Sequence, residues 1–530
     1  MKNKLTAFLL TASFAAVLAP SAYSQSIEQG TLGAAQDFDA GTMTFASGGL
    51  DPALWQGTSA ATAKDLIARA PIQSTNPIIR DMVRTVILSA GVPPEGASTD
   101  YGRTRLAAVM ALGDPGALQG VAQRLPELTS DPAVRADLAL AMGDVAGACT
   151  MADSISEGRG TPMWARLRSF CHVTRDEIPA AELTANLLKK SGYEDALFFG
   201  LMNRLTGLSK KSLPDDLGKD PLYSAMANAV LSARADAPVV SLSATGAAQF
   251  AKDTTADKDL RLAAVFKAGS ALSNDEINSV MNGLIYDGVT VENLQTAGAF
   301  DMDSVADIDT GLGFAQHYQL AKRGSGLAMT AVLQQAQKSG ALMRFADVLK
   351  QELVNLPATE KIEHLDLYAG IAVIQDDIAT LQALFGALPD GPQKVRIAFA
   401  ADAIGQGFRL GTLGDDIEGR LSAKGEEGRR AVRDALIALS LGSTLTDAGA
   451  KALSGKRVDG TRTLPAGDIA VLRSVAKRSS RAETTLRAAI LLDGATVDAA
   501  SFAAVIEAMS TAQLYDFAGR LAAQDFLDAI

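Results

Sequence analysis

The sequence is poor in several residue types at once. Among 530 residues there are two cysteines, three histidines and two tryptophans, and aromatics make up only 5%. Two cysteines exclude a disulfide-dense scaffold. None of His172, His317 and His364 stands in an H-x-H or H-E-x-x-H spacing, so a histidine metal centre is not expected. Period-two alternation is scarce as well: Ala237 to Leu242 is the best strand candidate, and it is short. With few aromatics to fill a core, alanine and leucine must supply most of it, which favours close-packed helices over sheets. Against these shortages, a hydrophobic share of 48% with 21% charged residues excludes a disordered chain.

The first residues read as a secretory signal. Lys2 and Lys4 form a basic start, Leu5 to Leu18 an apolar stretch, Pro20 a break, and Ala22-Tyr23-Ser24 the small residues of a cleavage site after Ser24. The apolar stretch falls short of the roughly 20 residues a membrane span needs, and no cysteine follows it to carry a lipid. The expectation is an exported, soluble chain, in the periplasm or secreted, with no transmembrane segment after cleavage. Loss of Lys2 and Lys4 takes the net charge from −11 to −13.

Residues 25–50 are rich in Gly, Ser, Thr and Gln and read as a mobile leader. Beyond them apolar residues recur at i, i+3, i+4 and i+7 in 76–90, 102–112, 133–147, 179–190, 194–207, 259–271, 328–350 and 498–508. The breaks carry Asp-Pro or Thr-Pro, a cap followed by a first-turn proline. Polar links divide the helical part into an N-terminal region 51–208, a middle region 209–390 and a C-terminal region 391–530.

Two segments look like copies of one unit: Arg105-Leu-Ala-Ala-Val-Met-Ala-Leu-Gly-Asp-Pro115 and Asp131-Pro-Ala-Val-Arg-Ala-Asp-Leu-Ala-Leu-Ala-Met-Gly-Asp144. Arg105 and Arg135 are 30 residues apart, as are Gly113 and Gly143. Small alanines let helices approach closely, glycine ends a helix in the left-handed conformation, and Asp-Pro starts the next. Looser echoes follow at Arg261-Leu-Ala-Ala-Val265, Val395-Arg-Ile-Ala-Phe-Ala400, Val432-Arg-Asp-Ala-Leu-Ile437 and Leu486-Arg-Ala-Ala-Ile490. The pattern resembles HEAT-type and TPR-like helical repeats over about 40 residues. That resemblance implies an all-α, right-handed superhelix of helical hairpins, a solenoid.

Cys149 and Cys171 are each eleven residues from Gly160, inside the turn-forming Glu157-Gly-Arg-Gly-Thr-Pro162. Thr161 is placed to cap a helix from Pro162. In an antiparallel hairpin, residues equidistant from the turn face each other, so the expectation is a disulfide closing a 22-residue loop. Buried free thiols, or a redox or metal pair with adjacent His172, are the alternatives.

Chemistry-bearing motifs are few. Ser474-Val-Ala-Lys477 matches the S-x-x-K of penicillin-recognising enzymes, Ser74-Thr-Asn76 matches S-x-N, and Lys190-Ser-Gly192 and Lys338-Ser-Gly340 match K-S-G. Their order is reversed relative to that family, and the sheet that carries its lysine motif is not expected. Asp301, Asp303, Asp307 and Asp309 form an acidic run before Gly311, but Val305 stands where a calcium loop needs its third ligand. The helical Glu-Ser of soluble lytic transglycosylases, which also use long α-superhelices, is not found. No catalytic residue, metal ligand or cofactor is assigned.

Charge is unevenly placed. Residues 420–490 hold fourteen basic and seven acidic residues, which leaves the remainder strongly acidic. Arg429, Arg430 and Arg433, and Arg473, Lys477, Arg478 and Arg481, are the densest groups and the candidates for binding an anionic partner. The spacing of 473, 477 and 481 puts them on one helical face. An ordinary solvated face is the competing reading. An acidic, exported chain without interleaved aromatics is not expected to bind nucleic acid. The expected function is a non-enzymatic scaffold binding a protein or an anionic polymer of the cell envelope. The alternatives are a cell-envelope enzyme acting on peptidoglycan or polysaccharide, and an obligate subunit of an envelope complex.

Overall fold

The computed structural model describes residues 41–211, 217, 220–233, 242–285, 305–405, 415–456, 462–494 and 496–528. The signal segment 1–24, nearly all of the strand candidate Ala237 to Leu242, and Asp301 and Asp303 lie outside these residues. Among the described residues every helix or strand that forms is a helix, apart from two isolated bridges at Met43–Ser89 and Ser59–Glu95. All-α architecture is therefore observed. No helix among the described residues is long and apolar enough to cross a membrane.

Local chemistry sets the boundaries. Asp114 accepts from the Ala117 amide and starts helix Pro115–Ala122; Asp131 accepts from Ala133 and starts Pro132–Ala141. Gly113, at φ +66°, ends helix Thr99–Leu112. Two long periodic segments divide where small or polar residues interrupt them. Residues 133–147 become nearly all of helix Pro132–Ala141 and the start of Val145–Ser154, with Gly143 at φ +79° between. Residues 328–350 split into Gly326–Lys338, Leu342–Val348 and the start of Lys350–Asn355.

The two arginines that open the Arg-Leu-Ala-Ala-Val echoes do the same work. Arg105 is buried and its Nε donates to the Ile87 carbonyl at 3.0 Å, at the end of helix Pro77–Leu88. Arg261 is buried and its Nε donates to the Ala251 carbonyl at 3.1 Å, at the end of helix Ala244–Ala251. Each satisfies a carbonyl that the helix itself leaves open. Arg135, the partner of Arg105 by spacing, is instead exposed. The 30-residue spacing therefore repeats the helix and its glycine stop, but not the arginine contact.

Packing departs from the expected regional division. Residues 41–50, assigned by composition to a mobile leader, are packed: the Met43 amide donates to the Leu88 carbonyl at 2.9 Å, and Leu50 is buried. The hydrophobic core divides in two. One part draws on residues between Leu50 and Leu138 together with residues between Leu365 and Leu527; the other runs from Ala136 to Ile371. The first and last stretches of helices thus share a core. In an ideal open solenoid each repeat touches only its neighbours. Here helix Pro77–Leu88 packs against Arg481–Leu492 and Tyr515–Leu527.

Polar groups stitch this seam. The Ala482 amide donates to the Leu54 carbonyl at 2.8 Å. The buried Thr58 hydroxyl lies 2.6 Å from the Ser480 hydroxyl and 2.7 Å from Glu483 Oε2. Asn76 donates to Gln524 at 2.9 Å, and Arg520 pairs with Asp81 at 2.8 Å.

Candidate functional site

Helix Gly425–Ser440 is amphipathic, and one residue breaks its apolar face. Ala431, Val432, Ala435, Ile437 and Ala438 are buried, and so is Asp434, whose side chain is 0% exposed. A buried carboxylate has to be paired. Asp434 receives Arg430 from the turn before it at 3.0 Å, Arg396 from helix Pro392–Gly405 at 2.6 Å, and Arg420 from helix Asp415–Arg420 at 3.2 Å. A second buried carboxylate, Asp525 of helix Tyr515–Leu527, accepts Arg433 at 2.5 Å and Arg430 at 3.3 Å. Arg433 also donates to the Val497 carbonyl at 2.9 Å and lies over the Phe502 ring, 5.3 Å from its centroid.

All four arginines line a cavity of about 1130 Å³, together with Arg429 and Lys394. Their side chains are 9–24% exposed, so each is held from behind and still shows an edge to the opening. Burial lowers Arg396 from its ordinary pKa, Asp434 opposes that shift, and nearby Arg430 and Arg420 add to it. Phe385 and Phe399 form an apolar wall, with the Lys394 ammonium 4.9 Å from the Phe385 ring centroid. Asp390, Glu426, Glu427 and Asp528 also line the opening. A second cavity, of about 640 Å³, has Lys267 and Asp493 as its only charged lining residues among the described ones.

The basic stretch read from sequence therefore divides. Arg429, Arg430 and Arg433 line the larger cavity. Arg473, Lys477, Arg478 and Arg481 do not. Arg473 makes an exposed pair with Glu507 at 2.6 Å, and Lys477 is exposed. Arg478 reaches Glu483 at 3.5 Å. The expected common face of 473, 477 and 481 does not form, because helix Ala466–Lys477 ends first. Ser479, at φ +60°, turns the chain, and Arg481 opens the next helix facing Asp51 at 3.1 Å. Arg396, Arg420, Asp434 and Asp525 were not singled out from sequence. Asp434 had a local signal, an acid on an apolar helical face. Asp525, 92 residues from Arg433, had none.

The cysteine pair stands where the hairpin places it. Cys149 of Val145–Ser154 and Cys171 of Pro162–Thr174 have Cα atoms 5.6 Å apart and sulfurs at bonding distance, and both are buried. Thr161 occupies the cap position before Pro162, but its side chain makes no capping hydrogen bond.

None of the other sequence candidates lines the arginine cavity. His317 Nδ1 lies 2.8 Å from the Gly313 carbonyl, and His172 Nδ1 lies 2.6 Å from Glu177. Ser474 and Lys477 are both exposed on one helix. Asp307 accepts from the Asp309 amide, and Thr310 caps helix Gly311–Lys322. Among the described residues no group of three His, Cys, Asp or Glu side chains is placed to hold a metal ion.

A second polar cluster lies around Arg166. Arg166 pairs with Asp220 at 2.9 Å and sits over the rings of Tyr193 and Tyr223, while Tyr223 and Tyr193 both donate to Asp195. Burial, with Asp220 adding to it, raises nearby Asp137 to about 6. Neither Asp137 nor Asp220 lines either of the two cavities described above. Compared with protein-family models, with curated proteins and with solved structures, the chain matches none.

Proposed function

We propose that this chain is an exported, non-enzymatic helical-repeat scaffold that binds a protein or an anionic component of the cell envelope. In this reading the helices form a right-handed superhelix of HEAT-like and TPR-like hairpins. The left-handed glycine stops at Gly113 and Gly143 and the matched contacts of Arg105 and Arg261 support it. The observation that carries the binding role is the arginine-lined cavity, where cations from three helices are oriented by buried carboxylates.

Two measurements test the proposal. N-terminal sequencing of the exported protein should begin at Gln25; a chain that stays inside the cell with Met1 intact overturns the export reading. Immobilised mature chain should retain an envelope component that salt releases and that Arg429→Glu no longer holds. Retention that is absent, or indifferent to both changes, counts against binding through the cavity. The subunit alternative draws on Leu183 and Leu187, exposed one turn apart on helix Ile178–Lys190. The enzyme alternative draws on Asp137, a raised carboxyl beside Asp220.

A further inference from the structure

The cavity is specific about charge in a way that the sequence count is not. At its floor four guanidinium groups, Arg396, Arg420, Arg430 and Arg433, share two buried carboxylates, Asp434 and Asp525. That leaves an excess of two positive charges; Arg429 adds one to the lining, and Asp528, which faces Arg430 and Arg433, takes one away. At its opening Glu426 and Glu427 are exposed carboxylates, and Asp390 holds Lys394 at 3.1 Å. A cationic floor beneath acidic groups selects by shape. An extended polyanion would run its repeated charges past Glu426 and Glu427, whereas a single compact anion reaches the floor and leaves an uncharged body at the mouth.

We propose that this cavity binds a phosphate monoester. Such a group carries about −1.5 to −2 charges near neutral pH, with three acceptor oxygens, which matches the excess at the floor. Guanidinium groups pair with phosphate through parallel N–H donors, and several converge here already oriented. The volume, about 1130 Å³, exceeds what a bare phosphate needs and lies just above the range of small-molecule sites, roughly 300–1,000 Å³. The exposed face of Phe385 and the adjoining Phe399 supply the wall against which the body of the ligand rests. This inference rests on the scaffold reading and narrows its partner from any anionic envelope component to one ending in a phosphate monoester, on a soluble molecule or on a lipid.

The test is calorimetric titration of the full mature chain with inorganic phosphate and with glucose 1-phosphate. A parallel arm measures sedimentation with vesicles containing phosphatidic acid, a monoester, or phosphatidylglycerol, a diester. Saturable binding of glucose 1-phosphate together with phosphatidic acid, or of either alone, supports the proposal and identifies the source. Arg420→Gln, on a short surface helix, should weaken that binding about tenfold, as loss of one charge-assisted contact does. The double variant Glu426→Gln with Glu427→Gln should bind monoesters at least as well, and dextran sulfate better than the parent does. Binding of none of these probes overturns the proposal, as does binding unchanged in Arg420→Gln, or phosphatidylglycerol and dextran sulfate bound by the parent as tightly as the monoesters. The scaffold reading fails separately: it falls if envelope extract yields nothing retained, and it survives if a retained component proves insensitive to phosphate.

Discussion

At the scale of single residues, the same amino acid carries different costs at related positions. Gly113 and Gly143 both take positive φ. A Cβ on Gly113 would stand 2.3 Å from the Ala244 Cβ, whereas one on Gly143 would meet the end of the flexible Gln249 side chain. Gly113→Ala should therefore cost about 2 kcal/mol or more through backbone strain and overpacking together, and Gly143→Ala less; urea midpoints of the two variants give the order. Asp137 offers a pH test. Its folded pKa of about 6 lies above the ordinary 3.8, with burial as the main cause, Asp220 and Asp131 adding, and Arg166 and Arg103 opposing. The folded state then holds the proton more tightly than the unfolded state. Charging Asp137 destabilises the fold progressively as pH rises from about 4 through 6, and the full cost is present above that. Asp137→Asn should be the more stable protein at pH 8, by about 1–2 kcal/mol, with the difference gone near pH 4. Equal melting temperatures at both pH values would show that the carboxyl is better solvated than its surroundings suggest.

At the scale of elements, the disulfide hairpin was legible because it is local. A turn, two flanking helices and a symmetric spacing fix which side chains meet, and no distant residue is needed. Its closure of a 22-residue loop is expected to stabilise the fold by about 3 kcal/mol. Reduction of the native protein should lower its melting temperature, and the double variant Cys149→Ala with Cys171→Ala should melt near the reduced protein. The oxidised, denatured chain should release no free thiol; two thiols would mean the bond does not form. Asp-Pro starts and glycine stops were legible for the same reason. The basic face at 473, 477 and 481 was misread because periodicity assumes that the helix continues, and no proline or glycine announced the turn at Ser479. The arginine cavity was half legible. Arg429, Arg430 and Arg433 stand out as charge and Asp434 shares their helix, but Asp525, Arg396 and Arg420 arrive from other helices.

At the scale of the whole compact unit, which spans Asp37–Ile530, the seam between early and late helices was not visible in any local pattern. Thr58 meets Ser480 and Glu483 across more than 420 residues. Thr58→Val keeps the shape and removes a donor from a buried carboxylate, at an expected cost of about 1–3 kcal/mol. Hydrogen exchange gives the sharper readout: amides of helix Arg481–Leu492 should exchange faster in the variant, and unchanged protection there would mean that apolar packing alone holds the ends together. The seam also bears on how this chain can change over time. An open array can gain or lose a hairpin and simply become longer or shorter. Here a helix pair inserted or deleted between Ile87 and Arg481 would shift Glu483 away from Thr58 and Arg520 away from Asp81 together, so the number of helices is fixed by the join. Loops can lengthen and surfaces can vary, but a change in the count of helices has to be matched by a second change that brings the two ends back into register.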